Sequence, residues 1–592
     1  MLFGLLALAV SHAVKASSSS PSSSSSSIQK RHSNCFGYNV QGCQYPIIGR
    51  NGAAASEVGT CSEIAIDILE QGGNAADGAV AMGLCVGVIS GYHSGIGGGG
   101  FSLVRFPTGN GYDYEMIDFR ESLPYAGNAT IYSQYGTSQN KSLYGGLAVG
   151  VPGDLHGWWE LHSRHGSLPW KTLFEPATTL ARNGFVVNRD LAEEIAPWML
   201  NDPLWAEVYY PNGTALTEGD MAYRPTYANT LEKIGEQGIG AFYDRTSGIA
   251  KNTVKAVAET GGILSLDDLE AYEAIMRTPA NITYRGNKIF STVAPSSGSV
   301  VLSALKIFEG YDGSAQDNDP AINLTTHFLL EATEFAYGQR STLGDPAFTP
   351  NVTYLEQAYL LESTAEAVRA KINFNRTYPI TYYAPSDYFP TRESGTSHMA
   401  IVDKDGMAVS LTTTVNLIWG SRVMTEDGII LNDEMDDFGA PGQLNAFGFP
   451  SSPINYPAAG KRPQSSISSS MAEDEDGNLL IATGSAGGSQ IITATLQQLY
   501  HHLDQGLNST ASTIHPRWHD QLGGRSTFEV PDAEFGIVGY DNGTVSYLAG
   551  LGYNVTYVTP GGSVSQAIGR LEDGSYLAAS DPRRISGYGA AF

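Results

Sequence analysis

Basic side chains are scarce in this sequence. Its 592 residues include 34 Lys and Arg against 60 Asp and Glu, a formal net charge of −26, and charged residues of both signs make up only 16% of the chain. A protein of this charge repels the phosphate backbone of nucleic acids and the anionic surface of membranes. We therefore expect neither of them as a partner. The 42% of hydrophobic residues is typical of a globular core and not of a disordered chain.

The sequence also lacks an apolar run long enough to cross a bilayer, which requires about 20 residues in a helix. The apolar run at residues 2–10 is followed by the small residues Ala13 and Ala16. This pattern resembles a secretory signal peptide without its basic start, and we assign it to residues 1–16. The run at 78–89 is rich in Gly and Ala and lies within a helical pattern over 62–90, so it is interpreted as part of a buried helix.

Two further features favour export. A Ser-rich tract at residues 17–27 belongs to a predicted linker and cysteine loop that extends over residues 17–47. Asn-x-Ser/Thr sequons, the acceptor sites of N-glycosylation, occur at ten positions: Asn128, Asn140, Asn212, Asn281, Asn323, Asn351, Asn375, Asn508, Asn542 and Asn554. We expect a secreted, extracellular glycoprotein, with the lumen of a vacuole as the alternative.

Cysteine is rare, and no C-x-x-C spacing is present. All four cysteines lie within the first 85 residues. An even number of cysteines in an exported chain favours two disulfides over a metal site. We pair Cys61 with Cys85, at the two ends of the helical segment, and Cys35 with Cys43 in the N-terminal loop, although spacing alone leaves the connectivity open.

Common hydrolase and metal motifs are missing as well. The sequence contains no G-x-S-x-G, no H-E-x-x-H and no G-x-x-x-x-G-K-[ST]. His515 and His519 have the spacing of a metal-binding helix, but Pro516 lies between them, so a structural role is the preferred interpretation. We expect neither a metal nor a cofactor.

Helical and strand patterns alternate along the chain without a repeat, which predicts a mixed α/β body. The predicted segments are a strand at 101–106 after a glycine turn at 93–100, an exposed connector at 378–394, a hairpin of strands 397–402 and 407–415, and a strand, glycine loop and helix at 479–483, 484–488 and 490–503.

Two segments have residues that can carry chemistry. The glycine loop at 484–488 stands between a strand and a helix, where successive backbone N–H groups can hold an anion, and without a Lys an oxyanion is favoured over a phosphate. The segment at 432–438 holds four carboxylates in five positions. Alone it is typical of a solvated loop or a weak calcium site, yet Glu434 and Asp437 can together hold a substrate ammonium.

Together with other motifs, these segments resemble the γ-glutamyltranspeptidase family in order and spacing, from about residue 52 to the C-terminus. The matching segments are 62–65 (Ser-Glu-Ile-Ala), 72–77 (Gly-Gly-Asn-Ala-Ala-Asp), 95–101, 118–121 (Asp-Phe-Arg-Glu), 150–153 (Gly-Val-Pro-Gly), 395–398 (Gly-Thr-Ser-His), 414–417 (Thr-Val-Asn-Leu), 432–438, 463–466 (Pro-Gln-Ser-Ser), 484–490 and 581–584 (Asp-Pro-Arg-Arg).

The resemblance implies an N-terminal-nucleophile hydrolase with a four-layer αββα sandwich. One precursor would be cut between Gly395 and Thr396 into a large subunit, 48–395, and a small subunit, 396–592, which form a heterodimer. The chemistry of threonine agrees with this, because its hydroxyl is a weak nucleophile unless a base stands beside it. A chain-terminal threonine carries its own base, an α-amino group of pKa about 8, and that amine exists only after the cut.

The resemblance also assigns roles to individual residues. Thr396 would be the nucleophile, oriented by Thr414, and the backbone N–H groups of Gly487 and Gly488 would form the oxyanion hole. The α-carboxylate of a γ-glutamyl group would be bound by Arg120, Ser465 and Ser466. Its α-ammonium would be bound by Asn416, Glu434 and Asp437. An arginine fork suits a carboxylate and paired carboxylates suit an ammonium.

The expected activity is therefore transfer of γ-glutamyl groups from glutathione and related compounds, through a γ-glutamyl-threonine ester, to water or to an amino acid or peptide. Two alternatives stand beside it. An acylase of the same fold would release a glutaryl-type group, which has no amine and would leave Glu434 and Asp437 unpaired. A catalytically dead glycoprotein would be retained for binding or storage.

Overall fold

The computed structural model describes residues 45–133, 140–383, 395–439, 441–442 and 451–592. The predicted signal peptide and most of the linker lie outside these residues. So do Cys35 and Cys43, and their pairing stays a prediction. Of the connector that precedes Thr396, residues 378–383 are described.

The described chain alternates strands and helices, as the sequence predicts. The strands are β1 (Ile48–Gly49), β2 (Gly52–Ser56), β3 (Gly99–Thr108), β4 (Gly111–Phe119), β5 (Phe185–Val186), β6 (Met221–Ala222), β7 (Ile275–Arg277), β8 (Ala280–Tyr284), β9 (Asn287–Ser291), β10 (Thr396–Asp403), β11 (Ala408–Thr414), β12 (Ser470–Glu473), β13 (Leu479–Ala486), β14 (Trp518–His519), β15 (Ser526–Glu529), β16 (Val555–Val558), β17 (Val564–Arg570), β18 (Tyr576–Ser580) and β19 (Tyr588–Ala591).

The α-helices are α1 (Gly59–Glu70), α2 (Ala75–Ile89), α3 (Asp154–His165), α4 (Trp170–Asn183), α5 (Arg189–Glu194), α6 (Pro203–Tyr209), α7 (Pro225–Gln237), α8 (Gly240–Tyr243), α9 (Gly248–Glu259), α10 (Leu266–Glu270), α11 (Gly298–Phe308), α12 (Ile322–Arg340), α13 (Val352–Tyr359), α14 (Glu362–Arg369), α15 (Ile491–Leu503), α16 (Ser509–Ile514) and α17 (Asn542–Gly550). Short 3₁₀ turns at Glu434–Asp437 and Gly488–Gln490 matter for the site described below.

Two seven-stranded antiparallel sheets form the centre of the protein. Sheet I has the order β1-β18-β17-β13-β12-β9-β8, and sheet II the order β19-β2-β10-β11-β3-β4-β7. In sheet II the predicted hairpin of β10 and β11 is confirmed, and it lies between β2 and β3 from the earlier part of the chain. Segments on both sides of residue 395 thus share the ladder hydrogen bonds of one sheet.

Side-chain alternation along β10 shows how the layers stack, because successive residues of a strand point to opposite faces. Ala400 and Val402 pack in an apolar layer with Met471 and Ala482 of sheet I, so these faces meet between the sheets. Residues of the opposite face of β10 pack against α1 and α2. The outer face of sheet I packs in the same way against α11, α12 and α15. The predicted four-layer αββα sandwich is confirmed.

The helical segment predicted over 62–90 is two helices and not one. Helix α1 ends at Glu70, and α2 begins at Ala75 with Asn74 as its N-cap, in a capping box with Asp77. The chain therefore reverses direction in this segment. The predicted disulfide of Cys61 and Cys85 is present, with a Cα–Cα distance of 5.4 Å. A continuous helix would hold these residues about 36 Å apart at a rise of 1.5 Å per residue, so the hairpin is what allows the bond.

The glycine loop predicted at 484–488 is shorter in the structure. Strand β13 continues through Ala486, and Gly484 pairs with Gln566 of β17. The loop is thereby reduced to Gly487 and Gly488. Within the described residues, no helix combines the length and apolar character that a membrane crossing needs.

Candidate active site

Thr396 is the first residue of β10, in the middle of sheet II. It lies directly opposite Thr414, the last residue of β11, in the antiparallel register. Even-numbered residues of β10 face sheet I, as Ala400 and Val402 show, so the Thr396 side chain points between the two sheets. Only 5% of Thr396 is exposed. The predicted nucleophile thus lies at the buried end of a central strand.

The Thr414 hydroxyl connects Thr396 to the peptide bond before it. It donates a hydrogen bond to the carbonyl oxygen of Gly395. It accepts one from the Thr396 hydroxyl, at 3.4 Å, and one from the backbone N–H of Asn416, at 2.7 Å. A hydroxyl has one donor and two acceptor sites, and here all three are used. The hydroxyl of Thr414 is therefore fixed in orientation, with its O–H bond directed at the carbonyl oxygen of Gly395.

Gly395 has a backbone conformation that a side chain would oppose. Its φ is +113°, and a Cβ at this position would lie 2.4 Å from the carbonyl oxygen of Asn416. Both facts require glycine. The residue before Thr396 is thus a glycine for packing reasons as well as for open access to its carbonyl carbon.

Asn416 joins the end of β11 to the acidic segment. Its φ is +74°, which turns the chain sharply after Thr414. Its side-chain amide donates to the carbonyl oxygen of Asp433 at 3.1 Å, and the next N–H, of Leu417, donates to the Asp433 carboxylate at 2.9 Å. The 3₁₀ turn that carries Glu434 and Asp437 is held beside β11 by these bonds.

The predicted ligands for an α-carboxylate and an α-ammonium contact each other. The guanidinium of Arg120, just after β4, forms ion pairs with Glu434 through one nitrogen and with Asp437 through the other. It also donates to the carbonyl oxygens of Pro463 and Gln464, both at 3.3 Å. All three charged side chains are 1% exposed. The acidic segment is therefore not the solvated loop that its composition alone suggests.

Carboxyl groups outnumber cations around Arg120. Burial raises the pKa of Glu434 and of Asp433 well above the usual range of carboxyl groups, and it raises the pKa of Glu121 to about 8. Desolvation penalises each negative charge, and the single guanidinium does not offset it. A further cation in this place would favour the ionised carboxylates.

Ser465 and Ser466 come directly after Pro463 and Gln464, whose carbonyl oxygens accept hydrogen bonds from Arg120. The backbone N–H of Ser465 donates to the carbonyl oxygen of Pro295 at 2.8 Å. The Ser466 hydroxyl accepts from the guanidinium of Arg340 at 3.1 Å. Arg340 is 3% exposed and ends α12. The sequence analysis missed this second buried arginine, because a lone Arg at the end of a helix has no distinguishing signal.

Gly487 and Gly488 follow β13 directly and precede α15. Their φ values are +122° and +59°, and a Cβ on Gly487 would lie 2.4 Å from the carbonyl oxygen of Gly562. Strand β13 contacts β10 through His398, which lies two residues after Thr396 on the same face of β10. The His398 ring packs on Gly484 of β13. The start of β10 thus lies against the last residues of β13 that precede the glycine pair.

A buried charged network on the opposite face of β10 also escaped the sequence analysis. The Ser397 hydroxyl donates to the Glu57 carboxylate at 2.6 Å, and His93 Nδ1 lies 3.1 Å from the same carboxylate. Arg584 Nη2 is 3.4 Å from His93 Nε2. Ser397, Glu57 and His93 are each at most 2% exposed. The network holds Ser397, the residue next to Thr396, through its side chain on the opposite face of β10.

The Thr414 hydroxyl is thus hydrogen-bonded to both the Thr396 hydroxyl and the Gly395 carbonyl, and Asn416 links this part of β11 to the segment that carries the buried arginine–carboxylate cluster. Comparisons with known proteins show the family of the chain. The family model described as Gamma-glutamyltranspeptidase matches residues 61–591. Glutathione hydrolase proenzyme of Arthroderma benhamiae is 41% identical over 553 residues, covering 90% of this chain and 92% of that protein.

Two further matches extend the comparison. Glutathione hydrolase of Aspergillus flavus is 39% identical over 542 residues, with 90% of this chain and 88% of that protein covered. The crystal structure of cephalosporin acylase from Bacillus halodurans superimposes with a TM-score of 0.77 at 24% identity, covering 94% of this chain and 99% of that one, and shows the shared fold. By the extent of these matches, the chain belongs to the γ-glutamyltranspeptidase family.

Proposed function

We propose that this chain is the proenzyme of a γ-glutamyl transferase and glutathione hydrolase that cuts itself before Thr396. The observation that carries the proposal is the Thr414 hydroxyl, which donates to the Gly395 carbonyl and accepts from the Thr396 hydroxyl. This one group polarises the peptide bond to be cut and holds the attacking oxygen in place. The names of the fungal relatives, glutathione hydrolase, support the same activity.

In the maturation step, Thr396 Oγ1 attacks the carbonyl carbon of Gly395. The C–N bond to Thr396 breaks as the ester bond forms, and the hydroxyl proton passes to the departing amine. The Thr414 hydrogen bond stabilises the negative charge that develops on the carbonyl oxygen. Water then hydrolyses the ester, which leaves a carboxylate on Gly395 and a free hydroxyl and amine on Thr396.

In the catalytic cycle, the α-amino group of Thr396 acts as the base for its own hydroxyl. The hydroxyl attacks the γ-carbonyl carbon of the donor, the backbone N–H groups of Gly487 and Gly488 hold the oxyanion, and the departing amine takes the proton. A γ-glutamyl ester of Thr396 results. Water or the amine of an amino acid or peptide then attacks this ester and regenerates the threonine.

Substrate recognition follows from the charge arrangement around Arg120. A γ-glutamyl group has an α-carboxylate and an α-ammonium on one carbon. Its carboxylate replaces Glu434 and Asp437 as the partner of Arg120, joined by Ser465 and Ser466. Its ammonium replaces Arg120 as the partner of the two acids, joined by Asn416. Each protein charge thereby exchanges one partner for another, so none is left buried and unpaired.

The same arrangement disfavours the acylase alternative. A glutaryl group brings a carboxylate and no ammonium, so it would take Arg120 from the buried Glu434 and Asp437 and give them nothing in return. A site built to pair a polar group rejects a ligand that lacks the matching one. The likeness to cephalosporin acylase is a likeness of fold.

The proposal includes the assembly and the compartment. Residues 48–395 and 396–592 form the large and small subunits of a heterodimer, held together by shared ladder bonds such as those of β2 with β10. Residues 1–16 direct export to the cell exterior or to a vacuolar lumen, and residues 17–47 form the linker. The ten sequons support passage through the secretory pathway.

A denaturing gel with an activity assay tests the proposal. Wild-type protein separates into two chains, the smaller with Thr396 at its N-terminus, and hydrolyses a chromogenic γ-glutamyl anilide. Thr396→Ala stays one inactive chain, and Thr396→Ser, which keeps a hydroxyl, is still cut. An uncut, inactive wild-type protein would favour the dead glycoprotein. Full processing of Thr396→Ala would show that another protease makes the cut.

A further inference from the structure

The most exposed aromatic side chains of the described protein stand beside sequons. Tyr354 is 70% exposed, and Phe374 and Tyr125 are each 62% exposed. Tyr354 comes three residues after Asn351, Phe374 immediately before Asn375, and Tyr125 three residues before Asn128. All three asparagines begin an Asn-x-Thr sequon. The agreement between exposure and sequon position calls for a common cause.

An aromatic ring exposed to water is unfavourable, because apolar surface gains free energy when it is removed from water. An N-acetylglucosamine ring has one face of C–H groups, and these carry partial positive charge. The face of an aromatic ring is negative and attracts them. A sugar attached within three residues of an exposed ring is therefore well suited to cover it.

We propose that Asn128, Asn351 and Asn375 carry N-linked glycans whose first N-acetylglucosamine stacks on Tyr125, Tyr354 and Phe374. A transferase of the secretory pathway moves the oligosaccharide from a lipid-linked pyrophosphate donor to the side-chain nitrogen. The sugar–phosphate bond breaks, the C–N bond forms, and the asparagine loses one proton. The proposal requires export of the chain and does not depend on its catalytic activity.

The three asparagines have side chains that can accept a sugar in the folded protein. All are exposed. The oxygen of Asn128 accepts hydrogen bonds from the backbone N–H and the hydroxyl of Thr130, so its nitrogen points away from these groups. Asn351 stands at the N-cap of α13 and its side chain makes no capping bond. Among the described residues, a glycan on the side-chain nitrogen of Asn128 or Asn351 therefore displaces none of these hydrogen bonds.

Other sequon asparagines are used by the fold. The nitrogen of Asn554, the atom that would carry the sugar, donates to the carbonyl oxygen of Gly524 at 2.7 Å. Asn323 is half-buried and accepts from the Thr544 hydroxyl at 2.7 Å. Asn508 caps α16 through the N–H of Ala511. A glycan on Asn554 would break its bond to Gly524, and we expect this position to stay unmodified.

Asn212 and Asn281 provide a matched comparison. Both are exposed, like the three proposed sites. Neither has an exposed aromatic residue within three positions of the sequence among the described residues. A sugar there would have no ring to cover, so its removal tests the effect of a glycan without stacking.

Site occupancy is measured on the full-length chain expressed in a eukaryotic host that attaches N-glycans. An amidase that releases the glycan converts each occupied Asn to Asp, and peptide mass spectrometry then reports the position. We expect conversion at Asn128, Asn351 and Asn375 and none at Asn554. The assignment would be overturned if Asn128, Asn351 and Asn375 stayed unconverted, or if Asn554 were converted to the same extent as they are.

Stacking is tested by a double-mutant cycle on Asn351→Gln and Tyr354→Ser, with the midpoint of thermal unfolding as the readout. If the sugar covers the ring, each change alone removes the same contact, and the double variant shifts the midpoint by less than the sum of the single shifts. The control cycle pairs Asn212→Gln with Tyr354→Ser and should be additive. Additive shifts in both cycles would overturn the stacking.

Discussion

Arg120 and Asp437 form an ion pair that is closed off from solvent, with 1% of each side chain exposed. The sequence predicts that one binds the carboxylate and the other the ammonium of the same substrate carbon, and the structure places them in direct contact. Breaking a buried pair without replacing the partners costs about 3–5 kcal/mol. A substrate that enters between them therefore has to provide both charges.

The first prediction concerns Asp437→Asn, which keeps the shape of the side chain and removes its charge. The variant loses attraction for the substrate ammonium, so kcat/KM for a γ-glutamyl anilide should fall. Truncating one side of a buried charge pair costs about 2–5 kcal/mol, and 1.4 kcal/mol is a factor of about ten, so a loss of about 30-fold or more is expected. Steady-state kinetics measure it.

A glutaryl anilide serves as the control for this substitution. It has no ammonium, so its turnover should fall much less or even rise in Asp437→Asn. Self-cleavage should continue, because no step of the proposed maturation uses Asp437. If the ratio of γ-glutamyl to glutaryl turnover is the same in the wild type and the variant, the ammonium subsite is assigned to the wrong residue.

The second prediction concerns the role of Thr414 in maturation. Thr414→Val keeps the β-branched shape but cannot donate to the Gly395 carbonyl. Removing one oxyanion donor lowers a rate by about 10²–10³-fold, and we expect a slowing of self-cleavage of that order. Thr414→Ser keeps the hydroxyl and should be cut at a rate close to the wild type. Time courses on denaturing gels follow the single chain, and equal rates for Val and Ser would contradict the proposed role.

The fold could be predicted from the sequence where local pattern and glycine chemistry agree. The hairpin after Thr396 and the helix after Gly488 were found in this way. The reversal between α1 and α2 was missed because apolar residues continue at helical spacing on both sides of it. Residues 72–74 (Gly-Gly-Asn) and the Asp77 capping partner were the available signal for two helices.

The motifs of the candidate site could be identified from the sequence, but the contacts between their residues could not. Arg120 and Asp437 were both named, but a sequence does not show that two residues 317 positions apart form an ion pair. Arg340 is buried and donates to the Ser466 hydroxyl, and Glu57 is buried and accepts from the Ser397 hydroxyl. The local sequence does not indicate that a single charged residue is buried. Tertiary packing supplies this part of the site.

The third prediction concerns the disulfide between α1 and α2. Cys61 and Cys85 close a loop with a sequence separation of 24, and a disulfide that closes a loop of this length stabilises a protein by about 3.5 kcal/mol. In the single-chain Thr396→Ala background, the double variant Cys61→Ala/Cys85→Ala should lose free energy of unfolding of about that size. Chemical denaturation measures it. Stoichiometric zinc in the wild-type protein, found by metal analysis, would instead overturn the disulfide.

The last prediction concerns pH and a cluster of buried acids on α12. Burial raises the pKa of Glu331 to about 7 and that of Glu334 well above the usual range. The Glu331 carboxyl accepts from the Tyr383 hydroxyl at 2.7 Å and from the Tyr553 hydroxyl at 3.1 Å. Tyr383 is the last described residue of the predicted connector at 378–394, and its side chain is buried there, with 3% of the residue exposed. The cluster therefore anchors the described part of this connector, within the predicted large subunit.

The sign of the pH effect follows from proton uptake. Between the pKa of the unfolded state, near 4.5, and the folded value near 7, the folded protein holds a proton on Glu331 that the unfolded chain has lost. The free energy of unfolding contributed by this group therefore decreases as pH rises across that interval. Glu331→Gln keeps a neutral group of the same shape and removes the titration. In the Thr396→Ala background, the stability of Glu331→Gln relative to its parent should rise from pH 4.5 to 7 and then level off. Chemical denaturation at a series of pH values measures the difference, and a constant difference across this range would show that Glu331 ionises in the fold as it does in the unfolded chain.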